Sequence, residues 1–140
     1  MKRLDENNLA QVARIEKQSI DCPWSEEVLR KEINNPNFAV LEIDGRVIGY
    51  GSYYVTVDVA NLNNVAIDEP FRGKGYSKKI MEYLVLKAKS DGLSSMTLEV
   101  ASTNFIAIRL YESFGFTVEG RRKNYYQSGD DALIMWLRFS

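Results

Sequence analysis

Between Asn61 and Val100 the hydrophobic pattern changes period twice, and this change restricts the fold more than any other feature of the chain. Asn61–Ile67 alternates as a strand and ends at Asp68-Glu69-Pro70. From Gly75 to Asp91 the apolar residues Ile80, Met81, Leu84, Val85 and Ala88 share one helical face, and Gly92 stands where a helix C-terminus favours glycine. Met96–Val100 returns to strand character. Strand, helix and strand in so short a span predict a parallel pair joined by a right-handed crossover.

The flanking segments add antiparallel structure. Leu9, Val12, Ala13, Ile15 and Glu16 follow helical spacing, which predicts a first helix from about Glu6 to Gln18. Ser25 followed by Glu26 and Glu27 predicts a capped second helix running to about Asn34, closed by Pro36. Phe38–Ile43 and Val47–Val55 flank Asp44-Gly45, a strong hairpin signal. Near the end, Asn104 caps a short helix that runs through Ser113 and stops at Gly115. Phe116–Gly120 and Ala132–Phe139 read as a last strand pair joined by a polar loop. No repeat, low-complexity tract or linker interrupts this order, so the expectation is one domain over residues 1–140 with a mixed α/β layer fold.

Composition excludes several chemistries. The chain has 140 residues, 45% of them hydrophobic, enough for a core without metals or disulfides. Its 18 basic and 19 acidic side chains leave a net charge of −1, so no global field draws it to nucleic acid or to an anionic membrane. Met1-Lys2-Arg3-Leu4-Asp5-Glu6 is charged where a signal peptide needs an apolar run, and no stretch approaches the ~18 apolar residues of a membrane span. The one cysteine, Cys22, cannot form an internal disulfide, which fits a reducing, cytoplasmic setting. There is no histidine, which removes Ser-His-Asp and Cys-His nucleophile arrangements and the usual zinc sites. No metal is expected, and any general base must be a carboxylate, a lysine, a tyrosine, the N-terminal amine or a bound water.

Arg72-Gly73-Lys74-Gly75-Tyr76-Ser77-Lys78 lies between the strand ending near Ile67 and the helix that follows. Glycines permit close backbone approach, and a helix start offers free N–H groups with partial positive charge, a combination that suits a pyrophosphate. A plain strand-to-helix turn would use glycine in the same places. A dinucleotide fingerprint would need a third glycine where Lys78 stands, and the Gly-Lys-Ser/Thr of a P-loop is absent.

The segment resembles the acyl-CoA pyrophosphate loop of the GNAT (Gcn5-related N-acetyltransferase) superfamily, Arg/Gln-x-x-Gly-x-Gly/Ala, with Arg72, Gly75 and Ser77 at its fixed positions. Ser77 departs from the usual glycine or alanine. The resemblance covers almost the whole chain: Cys22-Pro23-Trp24-Ser25, Asn64-Val65-Ala66-Ile67-Asp68, Leu98-Glu99-Val100, Asn104, Leu110-Tyr111-Glu112-Ser113-Phe114-Gly115-Phe116, Asn124-Tyr125-Tyr126 and Asp131-Ala132-Leu133-Ile134-Met135 are most similar to the RimI-type ribosomal-protein-alanine N-acetyltransferases. Ala101 stands where that branch usually carries arginine, and the loop from Gln127 to Asp130 looks shortened.

The resemblance implies a mostly antiparallel twisted sheet with a central parallel strand pair and helices on both faces. It implies direct transfer of acetyl from acetyl-CoA to a primary amine in a ternary complex, with coenzyme A as product. Arg72, Gly73, Lys74, Gly75, Tyr76, Ser77 and Lys78 would hold the diphosphate, Val65, Ala66 and Ile67 the pantetheine arm, and Asn104 would add a contact. Glu99 would be the general base and Tyr111 the acid for the departing thiolate. Trp24, Tyr125 and Tyr126 would line the acceptor groove, with Arg121 and Arg122 as further candidates.

Each residue also has a plainer role open to it. Glu99 could be a solvated strand-end charge, Tyr111 part of a packed stripe with Phe105, Ile108 and Phe114, and Asn104 only a cap. Trp24 could anchor the helical corner, Tyr125 and Tyr126 a strand edge, and Arg121-Arg122-Lys123 a solvated turn. Cys22 has no identifiable base for a covalent route. An α-amine with a pKa near ~8 is roughly 10% neutral at pH 7, against well under ~0.1% for a lysine near ~10.4, which favours a protein or peptide N-terminus, such as that of a ribosomal protein, as acceptor. A small amine such as a polyamine or amino sugar, and a non-catalytic acyl-CoA-binding regulator, stay open as alternatives. The expected assembly is a monomer or weak homodimer.

Overall fold

The computed structural model describes residues 1–20 and 23–139, so Asp21, Cys22 and Ser140 lie outside the described residues. The elements run in the order β1 (Lys2–Arg3), α1 (Leu9–Ser19), α2 (Glu26–Lys31), β2 (Phe38–Ile43), β3 (Arg46–Thr56), β4 (Val59–Ile67), α3 (Tyr76–Ser90), β5 (Ser95–Ala101), α4 (Phe105–Ser113), β6 (Thr117–Arg122) and β7 (Ala132–Arg138). Seven strands form one mixed sheet in the order β1-β2-β3-β4-β5-β7-β6. β4 and β5 are the parallel pair, with Val59 opposite Ser95 and Asn61 opposite Thr97. The β1–β2, β2–β3, β5–β7 and β6–β7 pairs are antiparallel.

Element ends differ from the sequence expectation for local reasons. α1 starts at Leu9 rather than Glu6 because the Asp5 carboxylate accepts the N–H groups of Asn7 and Asn8 at 2.9 and 3.0 Å, while Asn8 Oδ1 accepts that of Asp5 at 2.9 Å. Side-chain bonding of this kind competes with the first helical turn. The second helix tightens after Lys31 into a 3-10 turn, Glu32–Asn34. β3 and β4 extend to a tight connection in which Val57 adopts φ 56°, a strained value for a β-branched residue. β6 continues through Arg122 instead of stopping at Gly120, and the short β1 gave no sequence signal.

The chain falls into two compact units. One comprises Met1–Tyr54 and Asn63–Lys87, the other Val55–Leu62 and the residues from Ala88 onward. In the first, Leu4, Leu9, Val12, Ile15, Leu29, Phe38, Val40, Val47 and Tyr50 form the core, with Phe38 and Tyr50 stacked at 5.6 Å. Glu16 lies among them, buried, where its carboxylate accepts the Tyr50 hydroxyl and, at 2.9 Å, the Trp24 backbone N–H. Those partners are what make a buried carboxylate tolerable. α3 packs so closely on β3 that a Cβ at Gly51 would come within 2.8 Å of the Ile80 side chain.

In the second unit Met96, Leu98 and Val100 form the buried face of β5 and Thr97, Glu99 and Ala101 the other, the alternation the sequence predicts. Across the strands, Glu99 lies opposite Ile134 and Ile134 opposite Gly120, while Ala101 lies opposite Ala132 and Ala132 opposite Arg122. A β-bulge between Val118 and Gly120 leaves Glu119 without an opposite residue, and Arg138 clasps its carboxylate at 2.5 and 2.9 Å. Side chains alternate faces with period 2, so leaving Glu119 out of the ladder decides which arginine shares the Glu99 face. With the bulge it is Arg122.

Candidate active site

The glycine turn is organised from below by Asp68, the residue that follows β4. Its buried carboxylate is met by Arg14 at 3.0 Å and by Arg46 at 3.5 Å. The hydrogen bond from Arg14 leads in holding the Asp68 carboxyl below its ordinary range. The Arg46 guanidinium also sits 4.7 Å from the Phe71 ring centroid, and Phe71 meets Tyr76 edge-on at 6.4 Å. Arg72 turns back on the strand: its Nε donates to Ile67 O at 2.9 Å and its NH2 to Ser19 Oγ at 3.0 Å.

Gly73 and Gly75 have φ of 77° and 83°, and nothing lies within 4 Å of where a Cβ would stand on either. That combination leaves backbone open to an approaching ligand and makes glycine the residue that fits. Lys74 and Lys78 are exposed beside it, and Lys79 N–H closes the first turn of α3 on Gly75 O at 3.3 Å. The residues present fit a diphosphate by geometry and by charge. On β4, Ala66 and Ile67 are buried and Val65 is half-buried, with Gly49 of β3 close against them: a Cβ there would fall 2.6 Å from Ala66 O.

The second unit collects the titratable residues. Glu99 is exposed on β5, and its Oε2 lies 3.2 Å from Arg122 Nε. The Arg122 guanidinium stands 5.6 Å from the Tyr125 ring centroid, and Tyr125 meets Tyr126 edge-on at 5.1 Å. Tyr126 acts electrostatically on Tyr111, a residue of α4 that is 9% exposed and lies 5.9 Å from Phe116. Burial, with a smaller contribution from Tyr126, pushes the Tyr111 phenol up to about 12. Tyr111 therefore keeps its proton throughout the neutral range.

Asp131 fixes the turn that carries the two tyrosines. It accepts the Asn124 N–H at 2.9 Å and the Arg121 guanidinium at 2.5 Å, and those bonds hold its carboxyl below the ordinary range. Asn124 can then take φ 50°, and Tyr126 N–H closes on Asp130 O at 3.1 Å. Thr103 Oγ1 ties the same turn to the start of α4 through Asp130 at 2.9 Å. Asn104 caps α4, its Oδ1 accepting from Ala107 N–H at 3.2 Å.

The structure thus links Glu99, Arg122, Tyr125 and Tyr126 through successive contacts in the unit that also holds Tyr111, with Asn104 at the foot of the helix that carries Tyr111. Arg72, Gly73, Gly75 and the Val65–Ile67 end of β4 are grouped in the other unit with Trp24, which is half-buried and packed against the first unit's core. Sequence reasoning missed Asp131 as the turn's organiser and Arg122 as the partner of Glu99. An aspartate between a polar loop and a strand was a usable signal for the first, but the bulge that aims Arg122 has none.

Comparison with known proteins identifies the family. The bS18-alanine N-acetyltransferase of Escherichia coli K12 is 32% identical, over 98% of this chain and 95% of its own length. The crystal structure of the ribosomal-protein-S18-alanine N-acetyltransferase from E. coli superposes with a TM-score of 0.88 at 30% identity, covering 99% of this chain and 92% of that one. The NatC complex bound to Gag peptide and CoA contains a chain that superposes with a TM-score of 0.87 at 25% identity, covering 99% and 97%. The family model for GNAT acetyltransferases matches residues 8–116, a span that holds the glycine turn, Glu99 and Tyr111. The chain belongs to the acetyltransferase (GNAT) family.

Proposed function

We propose that this acetyl-CoA-dependent N-acetyltransferase acts on the N-terminal α-amine of a protein or peptide, with an alanine-initiated ribosomal protein as the leading candidate. The observation that carries the reading is the Glu99–Arg122–Tyr125–Tyr126 series of contacts, in one compact unit with the Tyr111 phenol that burial holds neutral. We read the chain as one catalytic domain working in the cytoplasm. Among the described residues no helix is long and apolar enough to cross a membrane.

Acetyl-CoA supplies the acetyl group as an activated thioester. Gly73, Gly75, Lys74, Lys78 and the start of α3 hold its diphosphate, and the β4 backbone at Val65–Ile67 holds the pantetheine arm. Glu99 takes one proton from the acceptor's ammonium group, which frees the nitrogen lone pair to form the new amide bond as the carbon–sulfur bond breaks. Tyr111 serves the sulfur. Complete transfer from a phenol near 12 to a thiolate whose conjugate acid lies near ~8.5 is uphill, so Tyr111 first donates a hydrogen bond that strengthens as charge builds, and its proton follows. The nitrogen gives up its second proton as the amide forms, and that proton passes through water to restore the Tyr111 phenol. The proton taken by Glu99 is released to solvent.

The test is a panel of alanine-initiated hexapeptides, the same peptides with blocked N-termini, spermidine and glucosamine. Free peptides should be acetylated at the α-amine, with kcat/KM at least roughly ten-fold above either small amine, a gap of about 1.4 kcal/mol. Turnover of spermidine or glucosamine with no peptide turnover would reject an N-terminal acceptor.

A further inference from the structure

Arg122 has no part in the chemistry above, yet it holds the carboxylate that the chemistry needs. Its Nε lies 3.2 Å from Glu99 Oε2, and the two side chains are 57% and 35% exposed. An ion pair so open to water is weak and easily exchanged. Arg122 has a second resting place, the Tyr125 ring 5.6 Å away, so release from Glu99 would not strand the guanidinium. The acceptor arrives as an ammonium ion, a cation that matches what Arg122 presents.

We propose that Arg122 is the resident cation of the acceptor site: it neutralises Glu99 until the acceptor's ammonium group exchanges with it, and this competition sets the acceptor's apparent affinity. The inference rests on the reading of Glu99 as the base. The exchange swaps one cation for another on a single carboxylate, so no net charge is buried. An uncharged amine cannot make the swap, which gives the site a preference for the protonated form of its acceptor. Arg122 here is a positioning residue, acting through Glu99. The bulge at Glu119 places it there, and Asp131 keeps Arg121 engaged elsewhere.

The experiment compares wild type, Arg122→Ala, Arg122→Lys and Glu99→Gln with an alanine-initiated peptide. Removing the resident cation should lower the acceptor KM roughly two- to five-fold, the range open to an exposed ion pair, while kcat stays within about two-fold. Methylguanidinium should compete with the acceptor in Arg122→Ala and have little effect on wild type or Arg122→Lys. An acceptor KM that is unchanged or raised in Arg122→Ala overturns the exchange. A readout independent of turnover is the carboxyl ¹³C resonance of Glu99, identified by its loss in Glu99→Gln. It should move with methylguanidinium in Arg122→Ala, and a resonance that stays fixed there also overturns the proposal. Full turnover by Glu99→Gln would instead refute Glu99 as the base, a separate failure.

Discussion

At the scale of single residues, burial changes what a side chain can do. Tyr111 looks from sequence like a phenol of ordinary acidity, and its place on a helical stripe gives no measure of its solvent access. In the folded chain its pKa is pushed up to about 12, mainly by desolvation. The unfolded chain releases that proton near pH ~10, so between about pH 10 and 12 ionisation favours unfolding. Stability linked to Tyr111 is therefore complete below pH ~10 and lost as pH rises through 12. Tyr111→Phe should lose less stability over that window than wild type, measured by urea melts, and the wild-type minus variant difference at 295 nm should show a tyrosinate step near 12. A step near pH ~10 in that difference would contradict the burial argument. Glu16 carries a similar lesson, because its place in the stripe of Val12 and Ile15 signalled burial, whereas its partners Tyr50 and Trp24 come from distant segments.

At the scale of elements, periodicity made most of the fold legible. The parallel β4–β5 pair, α3 and the β2–β3 hairpin follow from spacing and turn residues, because local chemistry alone decides them. Ends were less legible: Asp5 and Asn8 bond to backbone in a way that delays α1, and nothing in Lys2-Arg3 announces a strand. Close approach was also hidden. Gly49 sits in a strand where most residues would serve, yet a Cβ there would meet Ala66 O at 2.6 Å and Ile67 Cα at 3.3 Å. Backbone atoms cannot rotate away. Gly49→Ala should cost about 1–3 kcal/mol in chemical denaturation. It should also weaken acetyl-CoA binding by calorimetry, since it displaces the β4 residues assigned to the pantetheine arm. Wild-type stability in that variant would show that β3 and β4 can part without penalty.

At the scale of the whole molecule, the near-balance of charge leaves no global pull toward nucleic acid or membrane. The missing histidines leave a carboxylate, a lysine, a tyrosine, the N-terminal amine or a bound water as the base. The glycine turn and Glu99 were legible as candidates because their residue types are costly or unusual where they stand. The company that Glu99 keeps was not legible, since it depends on strand register and not on spacing along the chain.

That register has a consequence for how this enzyme can change. Strand β6 carries a spare residue: the pairs on either side of Glu119 already run in step along β7, so Arg122 would stay opposite Ala132, on the Glu99 face, with one residue fewer. A single-codon deletion at 119 would straighten the strand and remove the partner of Arg138 while leaving Arg121 opposite Leu133 and Arg122 opposite Ala132. Such a variant should fold with near-normal circular dichroism and keep acceptor turnover within about two-fold, and loss of most turnover would mean that the bulge serves the site in itself. Arg121 would take the place beside Glu99 only if Glu119 were drawn into the ladder opposite Ile134, and the bulge is what keeps it out.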